Sequence, residues 1–322
     1  MNFYFLLFIF IIITNIICKK KVVFLGSSIT AQNEGYVPAL TKNYSQYFDF
    51  EGYGYGGIAG NPCKFDVAFK GKPDIIIFDW SILSIGPSAD KFIRAAIFRS
   101  KVENAIPAFV IFPALGRTDF SMPNHINMLS KELNFSVFDI SNSFSEEELR
   151  ARLLRDTHHT TPLGGIKYAD KIFEFLNTTE LKFSIDEIGV EKEVAFPTNK
   201  IIDVESFDYT KIFLHGEIHG IFHIVGPHGN YVEIYKDEKM CRRCLFFDPW
   251  CYYNRLGHFN PDFGKINQSL TMKILNETFD RKMPHRNINW SAFTPKFHLK
   301  EICYNGDLKK IVVDGKIVFD SS

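Results

Sequence analysis

Lys21-Val-Val-Phe-Leu-Gly-Ser-Ser-Ile-Thr30 sets the reading of the N-terminal half. Val22 to Leu25 run without a polar break and end at a glycine. An unbroken apolar run of this length fits a strand buried on both faces, and the Gly-Ser-Ser after it fits a turn. Working outward, Asp74-Ile-Ile-Ile-Phe78, Ala108-Phe-Val-Ile-Phe112 and Ser136-Val-Phe-Asp-Ile140 repeat the pattern. Helix-like stretches separate them: residues 31–48, 89–102 (Phe92, Ile93, Ala96 and Ile97 at helical spacing) and 123–133. Ser145-Glu-Glu-Glu148 reads as a capping box opening a helix to Arg155, and Pro162 opens a last helix through Phe175. Continuous apolar strands alternating with helices predict an α/β parallel sheet covered on both faces. Sites in such sheets lie beyond the carboxyl ends of the strands, where Ser28 and the glycine-rich loop Gly52–Gly60 fall.

Far downstream, Asp156-Thr-His-His-Thr-Thr-Pro-Leu-Gly164 sets a carboxylate three residues ahead of His159. Acyl transfer needs a hydroxyl to attack, an imidazole to take its proton and a carboxylate to hold the imidazole's tautomer. Ser28, Asp156 and His159 form a candidate triad in the chain order Ser…Asp…His, with His158 as the rival imidazole.

Together, Gly26-Ser27-Ser28-Ile29-Thr30 and Asp156 to Gly164 resemble the first and last blocks of the SGNH (GDSL-type) hydrolase superfamily, over residues 20–178. The resemblance implies a flavodoxin-like three-layer α/β/α fold. It selects His159 over His158 and makes Ser28 the nucleophile, His159 the general base and Asp156 its orienting group. It also implies an oxyanion hole built from the N–H of Ser28, the N–H of a glycine and an Asn side chain. Gly57 best matches that glycine, with Gly60 as the alternative. The Asn position falls on Leu83 in Asp79-Trp80-Ser81-Ile82-Leu83-Ser84. Leucine donates nothing, and losing one such donor costs about 2.7–4 kcal/mol of transition-state stabilisation. Ser81 or Ser84 offers a hydroxyl in its place. No cofactor and no metal are called for.

The chain has 322 residues, enough for one or two domains, and 46% of them are hydrophobic. Lys+Arg and Asp+Glu both number 37, so charge points neither to nucleic acid nor to a membrane surface. Residues 1–18 are almost wholly apolar and precede Lys19-Lys20-Lys21, which predicts a cleaved signal peptide. An uncleaved anchor is the alternative, and only then is a membrane a partner. Sequons at Asn43, Asn134, Asn177, Asn267, Asn276 and Asn289 also point to a secreted or endomembrane glycoprotein. Cys63, Cys241, Cys244, Cys251 and Cys303 then predict two disulfides and one thiol. Zinc on Cys241, Cys244 and Cys251, with His258, is the competing arrangement.

Past Asn177 the pattern changes to period two: Thr210–His215, Ile221–Val225, Tyr231–Tyr235, Ser269–Leu275 and Lys310–Phe319. Asp314-Gly315 is a hairpin signal. The expected organisation is a signal peptide at 1–18, an α/β domain at 19–180 and an antiparallel β-sandwich at 186–322. Alternation places His215, Glu217, His219 and His223 on one polar strand face, with no need for a metal; Leu214, Ile218, Phe222 and Ile224 mostly take the other. Trp250, Tyr252 and Tyr253 offer a sugar-stacking surface or core packing.

The sequence thus points to a secreted serine esterase acting on O-acyl esters. By the resemblance these are O-acetyl esters on carbohydrate, so the partner is a small ester or an acylated glycan. Acyl transfer to a sugar is an alternative with the same triad. A weakened or inactive carbohydrate-binding or surface protein is another, favoured by Leu83 and opposed by the intact Ser/Asp/His set.

Overall fold

A computed structural model of the chain describes residues 19–55, 62–81, 89–181, 183, 197–246, 255–259, 264–277 and 294–322. The chain divides into two compact units, Met1–Tyr55 with Val67–Val190 and Gly56–Asp66 with Glu191–Ser322. Among the described residues no helix is long and apolar enough to cross a membrane.

The first unit contains a parallel sheet of β1 (Lys20–Gly26), β2 (Phe48–Gly54), β3 (Ile75–Asp79), β4 (Ile106–Ile111) and β5 (Ser136–Asp139). Its strand order is β2-β1-β3-β4-β5, the flavodoxin-like order. Val22, Phe24, Ile75 and Ile77 enter one core together with Leu40 of α1 (Tyr36–Tyr44) and with Tyr168 and Ile172 of a later helix, Pro162–Thr178. The intervening Val23, Leu25, Ile76 and Phe78 are equally buried on the opposite face. Burial on both faces is why these strands read as unbroken apolar runs. The topological switch falls between β1 and β3, the place where such sheets hold their sites, and Ser28 leaves β1 there.

Two expectations fail here. The helix read over 31–48 covers only Tyr36–Tyr44. Residues 27–35 instead form successive turns, with Ala31 N–H donating to Ser27 O and Gly35 N–H to Gln32 O. In addition, Phe48–Gly54, half of it read as loop, is an edge strand paired to β1 from Lys20↔Phe48 to Gly26↔Gly54. Glycines mask it: a Cβ on Gly54 would lie 2.1 Å from the Ala31 nitrogen, so close approach and not β-propensity decides its composition.

The second unit holds one antiparallel sheet of eight strands: β6 (Thr198–Ser206), β7 (Tyr209–Val225), β8 (Tyr231–Lys236), β9 (Lys239–Leu245), β10 (Arg255–Phe259), β11 (Ser269–Ile274), β12 (Phe297–Val313) and β13 (Lys316–Asp320). β7 and β12 each run 17 residues and pair with one another. The first half of β7 also pairs with β11 and its second half with β10. Both halves feed one apolar core, Ile212 and Leu270 from one, Ile221 and Leu299 from the other. Thr210–His215 and Ile221–Val225, expected as separate strands, are thus one. Register shifts opposite Cys303/Tyr304 reverse the alternation between them. Leu214 and Ile218 point inward before the shift, Ile221 and His223 after it. His223 is consequently buried, with its ring centroid 4.6 Å from that of Phe246 and 5.4 Å from that of Phe297, and does not share the exposed face of His215 and Glu217.

Cys63 and Cys303 are disulfide-bonded within this unit. Cys241 and Cys244 are thiols on β9; Cys251 lies outside the described residues, as do Trp250, Tyr252 and Tyr253. Asp314 and Gly315 take positive φ, 46° and 80°, at the hairpin joining β12 to β13. The Asp314 carboxylate also accepts from the N–H groups of Phe207 (2.8 Å), Asp208 (3.0 Å) and Tyr209 (2.9 Å). Burial acts to raise its carboxyl, but these donors outweigh that and hold it below the ordinary value. Asp314→Ala is expected to cost about 1–3 kcal/mol at neutral pH. A depressed carboxylate stabilises above its unfolded pKa and loses that contribution as pH falls through the folded one. The gap between parent and variant should therefore shrink below pH about 4. Equilibrium denaturation of both proteins at neutral and acid pH checks this, and coincident curves at neutral pH contradict it.

Candidate active site

The turn after β1 and the loop before Pro162 bring three predicted residues together. His159 Nε2 lies 2.8 Å from Ser28 Oγ, and His159 Nδ1 lies 2.8 Å from Asp156 Oδ2. The other oxygen, Asp156 Oδ1, accepts from the N–H groups of His158 (3.0 Å) and His159 (2.8 Å). Burial acts to raise the Asp156 carboxyl; those two N–H groups and the His159 imidazole outweigh it and hold it below its ordinary value. It thus stays an acceptor for Nδ1–H, leaving Nε2 as the nitrogen able to receive the Ser28 proton. His158 is not placed to compete, because its Nδ1 pairs with Thr157 Oγ1 at 2.8 Å.

The loop is closed locally. Arg155 N–H donates to His159 O, and Thr161 N–H to Leu153 O. Thr161 caps the following helix, accepting from Gly164 N–H at 3.1 Å, with Pro162 in the first turn. Gln32 ties this loop to the serine's turn: its side-chain nitrogen donates to Thr160 O (3.0 Å) and its oxygen accepts from Thr160 N–H (3.1 Å). Leu115 N–H adds a bond from the loop after β4 to Thr157 O.

Asp79, at the carboxyl end of β3, is the support that motif reading missed. It is fully buried and pairs in register with Gly26. A Cβ on Gly26 would come 2.0 Å from Thr30 Oγ1 and 2.6 Å from Asp79 Cβ, so only glycine lets this carboxylate reach the turn. Asp79 Oδ2 accepts from Ser27 Oγ (2.8 Å), Ser27 N–H (3.2 Å) and Thr30 Oγ1 (2.8 Å). Thr30 in turn bonds Tyr36 Oη at 2.7 Å. Ser27 and Thr30, which flank Ser28 and Ile29, are thereby fixed. Burial pushes the Asp79 carboxyl up against the pull of these donors. The available sequence signal was a charged residue ending an otherwise unbroken apolar run.

The oxyanion-hole candidates divide. The Ser28 N–H donates to no partner among the described residues. Gly57, Gly60, Leu83 and Ser84 lie outside the described residues. Ser81 is buried, and its Oγ accepts from Phe112 N–H at 3.0 Å. Asp156, His158 and His159 present ligand atoms within 4.8 Å of one another, but Asp156 and His159 already spend theirs on each other and on Ser28. Of the sequon asparagines, Asn43, Asn177, Asn267 and Asn276 are exposed, Asn134 is half-buried, and Asn289 is outside the described residues.

No family model matches the chain, and neither does any curated protein. Among solved structures, it is similar to a psychrotrophic esterase from Pseudoalteromonas sp. (14% identity, TM-score 0.41, covering 49% of this chain and 97% of that one). A GDSL-like lipase from Bacteroides thetaiotaomicron is similar at 14% identity and TM-score 0.37, over 49% and 87%. An acetylxylan esterase from Geobacillus stearothermophilus is similar at 16% identity and TM-score 0.36, over 48% and 93%. These likenesses are of the fold and carry no argument about chemistry.

Asp79→Ala strands three donors behind the serine and should let Ser28 drift. A displacement of about 1 Å at such a site can cost 100-fold in rate. The rate of Ser28 modification by a fluorophosphonate should fall accordingly, with partial recovery in Asp79→Asn, which keeps one acceptor oxygen. Unchanged labelling in a folded Asp79→Ala protein removes Asp79 from this role.

Proposed function

We propose that the protein is a serine esterase that cleaves O-acyl esters with Ser28, His159 and Asp156. The observation that carries this reading is the unbroken relay Asp156 Oδ2–His159 Nδ1 and His159 Nε2–Ser28 Oγ, each link 2.8 Å. Ser28 Oγ attacks the ester carbonyl as its proton passes to His159 Nε2. The Ser28 N–H, with that of Gly57 or Gly60 as the second donor the resemblance implies, receives the negative charge that forms on oxygen. The ester C–O bond breaks, and His159 returns the proton to the departing alcohol. Water then attacks the acyl-serine, giving a proton to His159, and the acid leaves as Ser28 recovers it. Asp156 keeps the imidazole in the tautomer both halves require.

The resemblance of the two sequence blocks extends the reading to O-acetyl groups on carbohydrate. The apolar residues 1–18 and the sequons support a secreted or endomembrane lumenal setting. A second reading, a weakened enzyme or an inactive binding protein, draws on Leu83 alone.

Ser28→Ala should abolish both fluorophosphonate labelling and turnover of a simple acetyl ester. His159→Ala should lower turnover by about 100- to 10,000-fold, the range typical of a lost general base. Labelling of Ser28→Ala at the parental rate, or no labelling of the parent, ends the esterase reading. Leu83→Asn tests the second reading: a restored donor should raise turnover by up to about 100-fold, seen in kcat more than in KM.

A further inference from the structure

We infer that Arg117 and Phe120, on the loop that follows β4, form an acid-recognising subsite at the rim of the Ser28 crevice, so that the favoured ester sits on a sugar bearing a carboxylate. The inference rests on the esterase reading and names its substrate class.

Three observations place the subsite. The loop leaves the carboxyl end of β4, on the side of the sheet where Ser28 leaves β1, and Leu115 N–H binds it to Thr157 O, two residues from His159. Arg117 spans the ends of two strands: its Nη2 donates to Ser81 O at 3.1 Å and its Nη1 reaches Phe112 O at 3.5 Å. The guanidinium is half-buried and makes no ion pair within 4.0 Å among the described residues; Asp119 and Asp139 act on it from beyond that distance. Both acids whose charge acts on it spend one oxygen on a neighbour, Asp119 on Ser121 N–H and Asp139 on Ser141, so neither is in contact with the guanidinium.

A partly desolvated guanidinium with no carboxylate in contact is costly unless something else completes it. Two of its five donors are used on carbonyls, which leaves three N–H groups for a carboxylate. Phe120 supplies the second half. Its ring is 51% exposed, and its centroid lies 6.0 Å from Arg117 Cζ. An exposed aromatic face beside a cation suits a pyranose with an apolar face and an acid group. Neither feature serves the relay of Asp156, His159 and Ser28.

The test compares acetylated glucuronate with acetylated glucose as substrates, with free glucuronate and glucose as competitors. The parent protein should favour the acidic ester in kcat/KM by about tenfold or more, as a charge-assisted hydrogen bond allows. Added salt should reduce that ratio, and glucuronate should inhibit where glucose does not. Arg117→Gln should bring the ratio close to one, mainly through KM, and Arg117→Lys should restore part of it. Phe120→Ala should raise KM for both sugars. A ratio near one in a parent protein that does hydrolyse the neutral ester overturns the subsite and leaves the esterase reading intact. A ratio unchanged in Arg117→Gln also overturns it. Should that variant fail to fold, competition by glucuronate against the parent decides alone. Absence of both hydrolysis and fluorophosphonate labelling in the parent defeats the esterase reading and the subsite with it.

Discussion

A single buried carboxylate, Asp79, holds the turn on which Ser28 stands. Taking a carboxylate out of water costs several kcal/mol even after relaxation. Three donors from the turn, two hydroxyls and one N–H, offset it at roughly 1.5–3 kcal/mol each for bonds to a charged group. The terms are of similar size, so the carboxylate is tolerated only while Ser27 and Thr30 remain where they are. This makes the turn rigid: displacing the serine's neighbours exposes the full burial cost. Gly26 is the condition for it, since any side chain there would occupy the space the carboxylate crosses.

The same logic extends outward through backbone bonds. Gln32 leaves the serine's turn and clamps Thr160, and Leu115 clamps Thr157, so both sides of His159 are tied to elements that begin at strand ends. The imidazole is therefore aimed by the sheet, through loops that are short or cross-braced. Positioning of this kind is where most of the advantage of an acyl-transfer site over solution arises.

How much of this was legible depended on how many demands each residue meets. β1, β3 and β4 were legible because burial on both faces makes them apolar throughout, and no competing demand interrupts them. Ser145 was legible, since a helix N-terminus needs an acceptor in a fixed place, and Pro162 because it suits a first helical turn. Ser28, Asp156 and His159 stood out because their chemistry restricts residue type and their spacing places them on two turns. β2 was hidden because Gly52 and Gly54 answer to steric contact with Val37 and Ala31, which outweighs strand propensity. The reversal at His223 was hidden because it comes from a register shift against β12, a relation between segments some eighty residues apart. The partner of Cys63 was equally non-local. Asp79 and Arg117 were in plain view as residues, but their roles depend on what surrounds them.

Asp79 and Asp156 show why residue type alone could not assign those roles. Each carboxylate accepts three hydrogen bonds near the same serine. Asp156 is half-exposed, and its donors prevail over burial, so its carboxyl sits below the ordinary value and its charge is available to an imidazolium. Asp79 is sealed, and burial prevails over its donors, so its carboxyl is pushed up and its geometry is what it contributes. A solvated Asp79 would have no penalty forcing the turn into one shape, whereas Asp156 holds its charge through its donors while half-exposed. The difference in solvation, set by a strand end in one case and a surface loop in the other, divides support from chemistry between two identical side chains.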